Sequence, residues 1–219
     1  MTKKRAVSPA GPAPATQRIL EVAEQLVQTR GFNGFSYADV AERLQVTKAS
    51  LHYHFPSKAD LGRTLIERYH VVFSAALDAI DRQTHDARER LRRYVGLYDS
   101  VMRNDRMCLC GMLAAEYATL PPAMQAELRR FFDANEVWLA AVLEDGRRAG
   151  ELAFRGPAKH RARAVLGALE GAMLVARTYG DSRRFQSAAK QVLADLNIDE
   201  VRTGQTALDG APLAVDVRG

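Results

Sequence analysis

Between Thr47 and Ser57 the chain reads Thr-Lys-Ala-Ser-Leu-His-Tyr-His-Phe-Pro-Ser, and its polar side chains are of the kinds that meet nucleic acid. At 100° per residue on a helix, Leu51 and Phe55 share a face suited to a core. Ala49, Ser50, Tyr53 and His54 share the opposite face, with Lys48 reaching outward from the N-terminal end, and no carboxylate interrupts them. Such a helix fits a major groove about 12 Å wide and approaches phosphates without repulsion. Ser36, Thr47 and Ser57 are all N-cap residue types, so three helix N-termini would offer N–H groups and positive dipole ends to the same anions. Lys58 falls in the first turn of its helix, against the dipole. A phosphate close by would explain that placement.

The remaining reactive residues are sparse. Cys108 and Cys110 are the two cysteines, one residue apart, which excludes a secreted disulfide framework. Of the five histidines, His52 and His54 would project about 200° apart on a helix, and no His-Glu-x-x-His or Cys-x-x-Cys pair occurs. A bound metal or other cofactor is therefore not expected. Gly-rich phosphate cradles and nucleophile elbows are also missing from the sequence, so the chain is not expected to be an enzyme.

The elements that must carry these residues are helical throughout, since no alternating strand pattern is sustained over four to eight residues. Thr16 is the expected N-cap of a first helix that sets Ile19, Ala23, Leu26 and Arg30 at helical spacing with Leu20 and Val27 beside them and ends at Gly31. Ser36-Tyr37-Ala38-Asp39 has capping-box form and opens a short helix; Thr47 caps a second over Lys48–Phe55; Pro56 closes it. Ser57-Lys58-Ala59-Asp60 starts a longer helix to about Ile80. Two short helices joined tightly and braced on either side make a three-helix bundle containing a helix-turn-helix. Further helices carry Leu91, Tyr94, Tyr98 and Val101, and then, after Pro121-Pro122, a stripe of Met124, Leu128, Phe131, Trp138 and Val142. Arg161–Tyr179 combines Leu166, Leu169, Met173 and Ala176 with Gly167, Ala168, Gly171 and Ala172, small residues that let another helix approach, and 183–196 follows with Phe185, Ala189, Val192 and Leu196, so that two such helices from each copy are expected to form a four-helix dimer interface.

Composition agrees with a soluble all-α chain of one or two domains: 219 residues, 47% hydrophobic and 26% charged. No apolar run reaches the ~18–20 residues of a membrane span, and the basic start lacks an apolar signal segment, so a cytoplasmic location is expected. The net charge of +5 is uneven: residues 1–70 hold 10 basic and 6 acidic side chains, against 21 and 20 in the rest. A basic N-terminal third points to a polyanionic partner. The expected division is a flexible basic arm at 1–15, a DNA-binding domain at 16–65 with its motif at 36–55, a helical domain at 66–198, and a flexible tail at 199–219.

The segments Ala23-Glu24…Gly31-Phe32, Phe35-Ser36-Tyr37-Ala38-Asp39-Val40-Ala41 and Val46-Thr47-Lys48-Ala49-Ser50-Leu51-His52-Tyr53-His54-Phe55-Pro56-Ser57-Lys58-Ala59-Asp60-Leu61 resemble the DNA-binding domain of the TetR/AcrR family of bacterial transcriptional regulators. Gln45 stands where that pattern usually has glycine. The resemblance implies an all-α fold of about nine helices, with a C-terminal domain that binds an effector and dimerises, and a palindromic double-stranded operator read by a homodimer. It implies that Lys48 and Ser50 read bases or phosphates, that Tyr53 and His54 contact phosphate or base edges, that Tyr37 and Thr47 anchor the DNA backbone, and that Lys58 clamps a phosphate. It further implies a repressor released by a small apolar or electrophilic effector, for which Tyr98, Cys108, Cys110, Met112, Phe131 and Trp138 are candidate contacts. Cys108 matches the position of a cysteine that senses electrophiles or oxidants in some members; a helix N-terminus would lower its pKa and make it react. Effector-independent DNA binding is the alternative.

Overall fold

Capping residues set most of the helix boundaries. In the structure, a computed structural model that describes residues 14–196, α1 spans Pro14–Arg30, α2 Tyr37–Leu44, α3 Lys48–His54, α4 Lys58–Gln83, α5 Ala87–Met102, α6 Leu109–Ala115, α7 Pro122–Arg148, α8 Ala158–Thr178 and α9 Ser182–Ala194. A single 3₁₀ turn, Tyr117–Thr119, separates α6 from α7, and no strand occurs among the described residues. The fold is all-α, as expected. Most of the expected arm (1–13) and the tail (199–219) lie outside the described residues.

Both expected capping boxes form. Asp39 Oδ2 accepts from the Ser36 amide at 2.7 Å and the Ser57 amide donates to Asp60 at 3.1 Å. α1 begins at Pro14, two residues before Thr16, because proline at a helix start forfeits no intrahelical bond. Gly31 ends it at φ 81°, a left-handed conformation that glycine adopts freely.

α1, α2 and α3 enclose Leu20, Ala23, Leu26, Val40, Leu51 and Phe55, all 5% exposed or less. α4 runs unbroken through the expected boundary at 65/66: Leu61 and Leu65 are buried towards the helix start, and Tyr69, Phe73 and Leu77 are buried further on. Phe73 is the hub there. Its ring meets Phe131 at 5.2 Å, and Tyr94 and Tyr98 at 6.1 Å each, all edge to face, contacts worth about 0.5–1.5 kcal/mol apiece beyond area burial. On α7 the buried stripe is Met124, Leu128, Phe131, Asn135, Leu139 and Val142. Trp138 was expected in that stripe but is only half-buried: it stacks on Tyr94 at 5.4 Å and its Nε1 donates to Asp81 at 3.0 Å. An indole with a polar edge settles at the margin, where that N–H finds a partner.

Leu166, Leu169, Met173 and Ala176 of α8 lie inside the chain's own core, with Phe185 and Ala189 of α9 beside them. The small residues Gly167 and Ala168 and the apolar Leu174 and Val175 face outward instead.

Candidate nucleic-acid interface

α3 is seven residues long, too short to hold itself together, so its neighbours fix it. Leu51 anchors it inward at 1% exposure. The Thr47 side chain accepts from the Ser50 amide at 3.2 Å and occupies the N-terminus. The α2–α3 turn is made by Gln45 in the left-handed region at φ 54°, with its amide donating to Glu42 and that of Val46 to Ala41. The turn that glycine usually makes is therefore made by glutamine, at a cost of order 1 kcal/mol.

This packing leaves one face of α3 uncovered. Tyr53 is 85% exposed, and Thr47, Lys48 and Ala49 are exposed beside it, with Ser50 half-buried. His54 is half-buried; its Nδ1 lies 3.2 Å from Thr16 Oγ1 and its ring meets that of Tyr53 edge-on at 5.2 Å. His52 rests over Tyr37 with ring centroids 4.7 Å apart. A shallow open cleft of about 360 Å³ lies between α2 and α3, lined by Ser36, Tyr37, Lys48, His52 and Lys58 among others. Three of the residues singled out from the sequence thus border one cleft, next to two helix N-termini.

Two of those three are also engaged within the fold. The Tyr37 hydroxyl donates to the Phe55 carbonyl at 2.8 Å, tying α2 to the end of α3, and burial pushes its pKa up to about 12. The Lys58 ammonium donates to the carbonyls of Phe32 and Phe35 and lies 4.5 Å and 4.3 Å from their ring centroids. Its placement against the helix dipole is explained by these partners without a phosphate. Burial lowers its pKa, and the charges of Glu116 and Asp39 partly offset this.

The basic excess of the N-terminal third sits mainly in Lys3, Lys4 and Arg5, outside the described residues; residues 14–70 hold seven basic and six acidic side chains. Several of the seven are paired: Arg30 with Asp39, Arg63 with Glu67, and Arg68 with Glu24.

Sequence reasoning missed the contacts that tie this unit to the helical domain. Glu116, just past α6, accepts from the amides of Phe32 at 2.6 Å and Asn33 at 3.2 Å. It lies so close to Gly31 that a Cβ there would stand 2.7 Å from Oε1. The Met107 amide donates to the Gln28 carbonyl at 3.1 Å, and Arg177 of α8 donates to the carbonyls of Gln28 and Thr29. No local pattern marks these residues, because their partners are main-chain groups.

In the helical domain, Tyr98, Phe131 and Trp138 belong to one aromatic network, whereas Met112 lies apart, its sulfur 3.9 Å from Arg177. Cys108 caps α6, yet the expected lowering of its pKa is reversed. Burial pushes it well up and the Glu170 charge adds to this, while the Gly111 amide pulls the other way. Cys110 is likewise buried and raised. Glu170 of α8 was not singled out, although it is the lone acid among the small residues of 166–176.

Comparison with known proteins places this geometry in a class. Residues 19–63 match the family of bacterial regulatory proteins, tetR family, and residues 87–192 match the tetracyclin repressor-like C-terminal domain. A TetR-family transcriptional regulator from Agrobacterium tumefaciens superposes with a TM-score of 0.80 at 34% identity, covering 83% of this chain and 96% of that one. The transcriptional regulator AcuR of Cereibacter sphaeroides is 26% identical over 167 residues, 74% of this chain and 76% of AcuR. The repressor DhaR of Mycobacterium sp. (strain GP1) is 27% identical over 124 residues, 55% of this chain and 61% of DhaR. The chain belongs to the TetR family of transcriptional regulators, whose members bind DNA and dimerise. No helix among the described residues is long and apolar enough to cross a membrane.

Proposed function

We propose that this chain is a dimeric, cytoplasmic repressor that reads a palindromic operator through α3 and releases it when a small apolar or electrophilic effector enters the helical domain. The observation that carries this reading is the uncovered face of α3, where the Tyr53 ring is 85% exposed beside exposed Lys48 and Thr47 and no carboxylate lies among them. Lys48 and Ser50 meet bases or phosphates, Tyr53 and His54 meet phosphate or base edges, and Thr47 and Ser36 offer helix N-termini to the backbone. Tyr37 and Lys58 border the same cleft and act there chiefly by holding α3 and the α1–α2 turn in place, with the Lys58 charge attracting phosphate. The division at about residue 65 assigns these roles to 16–65 and effector binding and dimerisation to 66–198. DhaR, a relative over part of the chain, is itself described as a repressor.

Exposed Leu174 and Val175, with Gly167 and Gly171 open to close approach, give α8 a face for a second copy. A two-fold dimer reads half-sites about one helical turn apart. Footprinting on DNA that flanks the chain's own coding region, followed by titrations at several salt concentrations, tests the reading. The expected result is a protected palindrome and affinity that falls steeply with salt, with Lys48→Ala reducing the slope by about one. Salt-independent binding, or full affinity in a Lys48→Ala/Tyr53→Ala double variant, would overturn it. Retention of DNA in the presence of every apolar compound and electrophile tried would favour effector-independent binding.

A second reading makes Cys108 the group that receives an electrophile or oxidant. The thiol is buried and protonated in this state, so the reading depends on something that takes its proton.

A further inference from the structure

Both carboxylate oxygens of Glu170 are shut off from solvent, and among the described residues neither has a hydrogen-bond partner that meets normal geometry. A folded chain pays heavily for such a group, which makes it a place to look for function. The carboxylate projects from α8 onto α6 at Gly111. A Cβ built on Gly111 would collide with Glu170 Oε2 and stand 3.6 Å from Cys108 Cβ, so the acid and the cysteine meet across a glycine.

The other titratable groups around the pair are the Tyr69 hydroxyl from α4, which donates to Cys108 Sγ at 3.8 Å, Tyr94 and Tyr98 from α5, and Cys110 from α6. Glu24 of α1 acts on Cys110. The nearby acidic residue is paired with Arg68; Glu170 itself makes no ion pair among the described residues. Burial accordingly raises the Glu170 pKa to about 7, so the carboxylate form is present in mildly alkaline solution beside a thiol that keeps its proton.

We propose that Glu170 accepts the Cys108 proton as Sγ adds to a soft carbon electrophile of the α,β-unsaturated carbonyl class. The S–C bond forms at the β-carbon and the π pair moves onto the carbonyl as an enolate. The S–H proton passes to the Glu170 carboxylate and then to the α-carbon, leaving a thioether and restoring the carboxylate. No oxidant or further reactant enters. The step rests on the reading of Cys108 as the receiving group and names its missing base.

The test uses N-ethylmaleimide on the full-length dimer in a Cys110→Ser background, where Cys108 is the sole thiol. Two physical effects of Glu170 predict opposite signs. If the carboxylate only repels a thiolate, Glu170→Gln will accelerate alkylation, because removing a negative charge lowers the thiol pKa. If it accepts the proton, Glu170→Gln will slow alkylation by about tenfold or more at pH 8, and Glu170→Asp will recover part of the rate. The parent protein's rate will rise through about 7, following the Glu170 ionisation. An unchanged or faster rate in a Glu170→Gln protein with a native circular dichroism spectrum would overturn the proposal. A parent profile that climbs only in the range of a buried thiol would overturn it without any variant. Operator release is read separately by fluorescence anisotropy. Release with a Glu170-independent rate sinks the base and leaves the effector reading; Glu170-dependent alkylation without release supports the base and sinks that reading.

Discussion

Replacing Glu170 by glutamine keeps the shape of the side chain and removes its titration, which turns a buried group into a measurement of stability against pH. The carboxyl has an ordinary value of 4.5 and a folded one of about 7. Below the lower value both states hold the proton and nothing changes. Between the two, the unfolded chain releases a proton that the folded chain retains, so stability falls as pH rises, at up to about 1.4 kcal/mol per pH unit. Above the upper value the curve flattens. Integrated from pH 5 to pH 8, the loss is about 2.5 kcal/mol, equivalent to roughly 5–10 °C in melting temperature for a chain of this size. Calorimetry or thermal circular dichroism at one fixed protein concentration, so that dimerisation does not enter, should show the native protein losing that much more than Glu170→Gln over the same range. Every other side chain is common to the two proteins and cancels in the difference. Parallel curves for the two proteins would refute the argument, because they would mean that the carboxylate is solvated or paired in the folded state.

Three further outcomes are expected. Tyr53→Ala should weaken operator binding about tenfold, or ~1.4 kcal/mol, while leaving the melting temperature unchanged because the ring is 85% exposed; a lowered melting temperature with unaltered binding would reverse its assigned role. Glu116→Ala removes the acceptor of the Phe32 and Asn33 amides, so it should cost about 1–3 kcal/mol in thermal denaturation and speed hydrogen exchange at both amides; native protection there would refute the contact. Gln45→Val should destabilise by about 1 kcal/mol because a β-branched residue tolerates φ 54° poorly, whereas Gln45→Gly should not destabilise at all, and equal losses in chemical denaturation would refute the strain.

The helices were legible in the sequence because their signals are local: Ser36 with Asp39, Ser57 with Asp60, Gly31 at a left-handed end. The outward face of α3 was legible for the same reason, since Leu51 and Phe55 fix its rotation. Periodicity fails where a residue has mixed character. Trp138 fits an apolar stripe by spacing, yet its N–H draws it to Asp81 at the edge. Leu169 and Met173 also read as apolar stripe residues, but spacing alone does not reveal that the chain's own core, rather than a partner, takes them. The thiol of Cys108 shows a further limit. Its place at a helix start is local and was anticipated, but the apolar surroundings and the carboxylate that override the dipole come from α4, α5 and α8, far away along the chain.

The last turn of α1 has its carbonyls filled by Met107 and Arg177, and the amides just beyond it are held by Glu116. The N-terminal bundle is therefore not a cassette that ends where its own sequence ends. A chimera that grafts residues 14–65 onto the helical domain of a relative exchanges all three of these docking groups for whatever the host supplies. In such a chimera the match at positions 107, 116 and 177 bears on how firmly the bundle is held, apart from what its α3 face contacts.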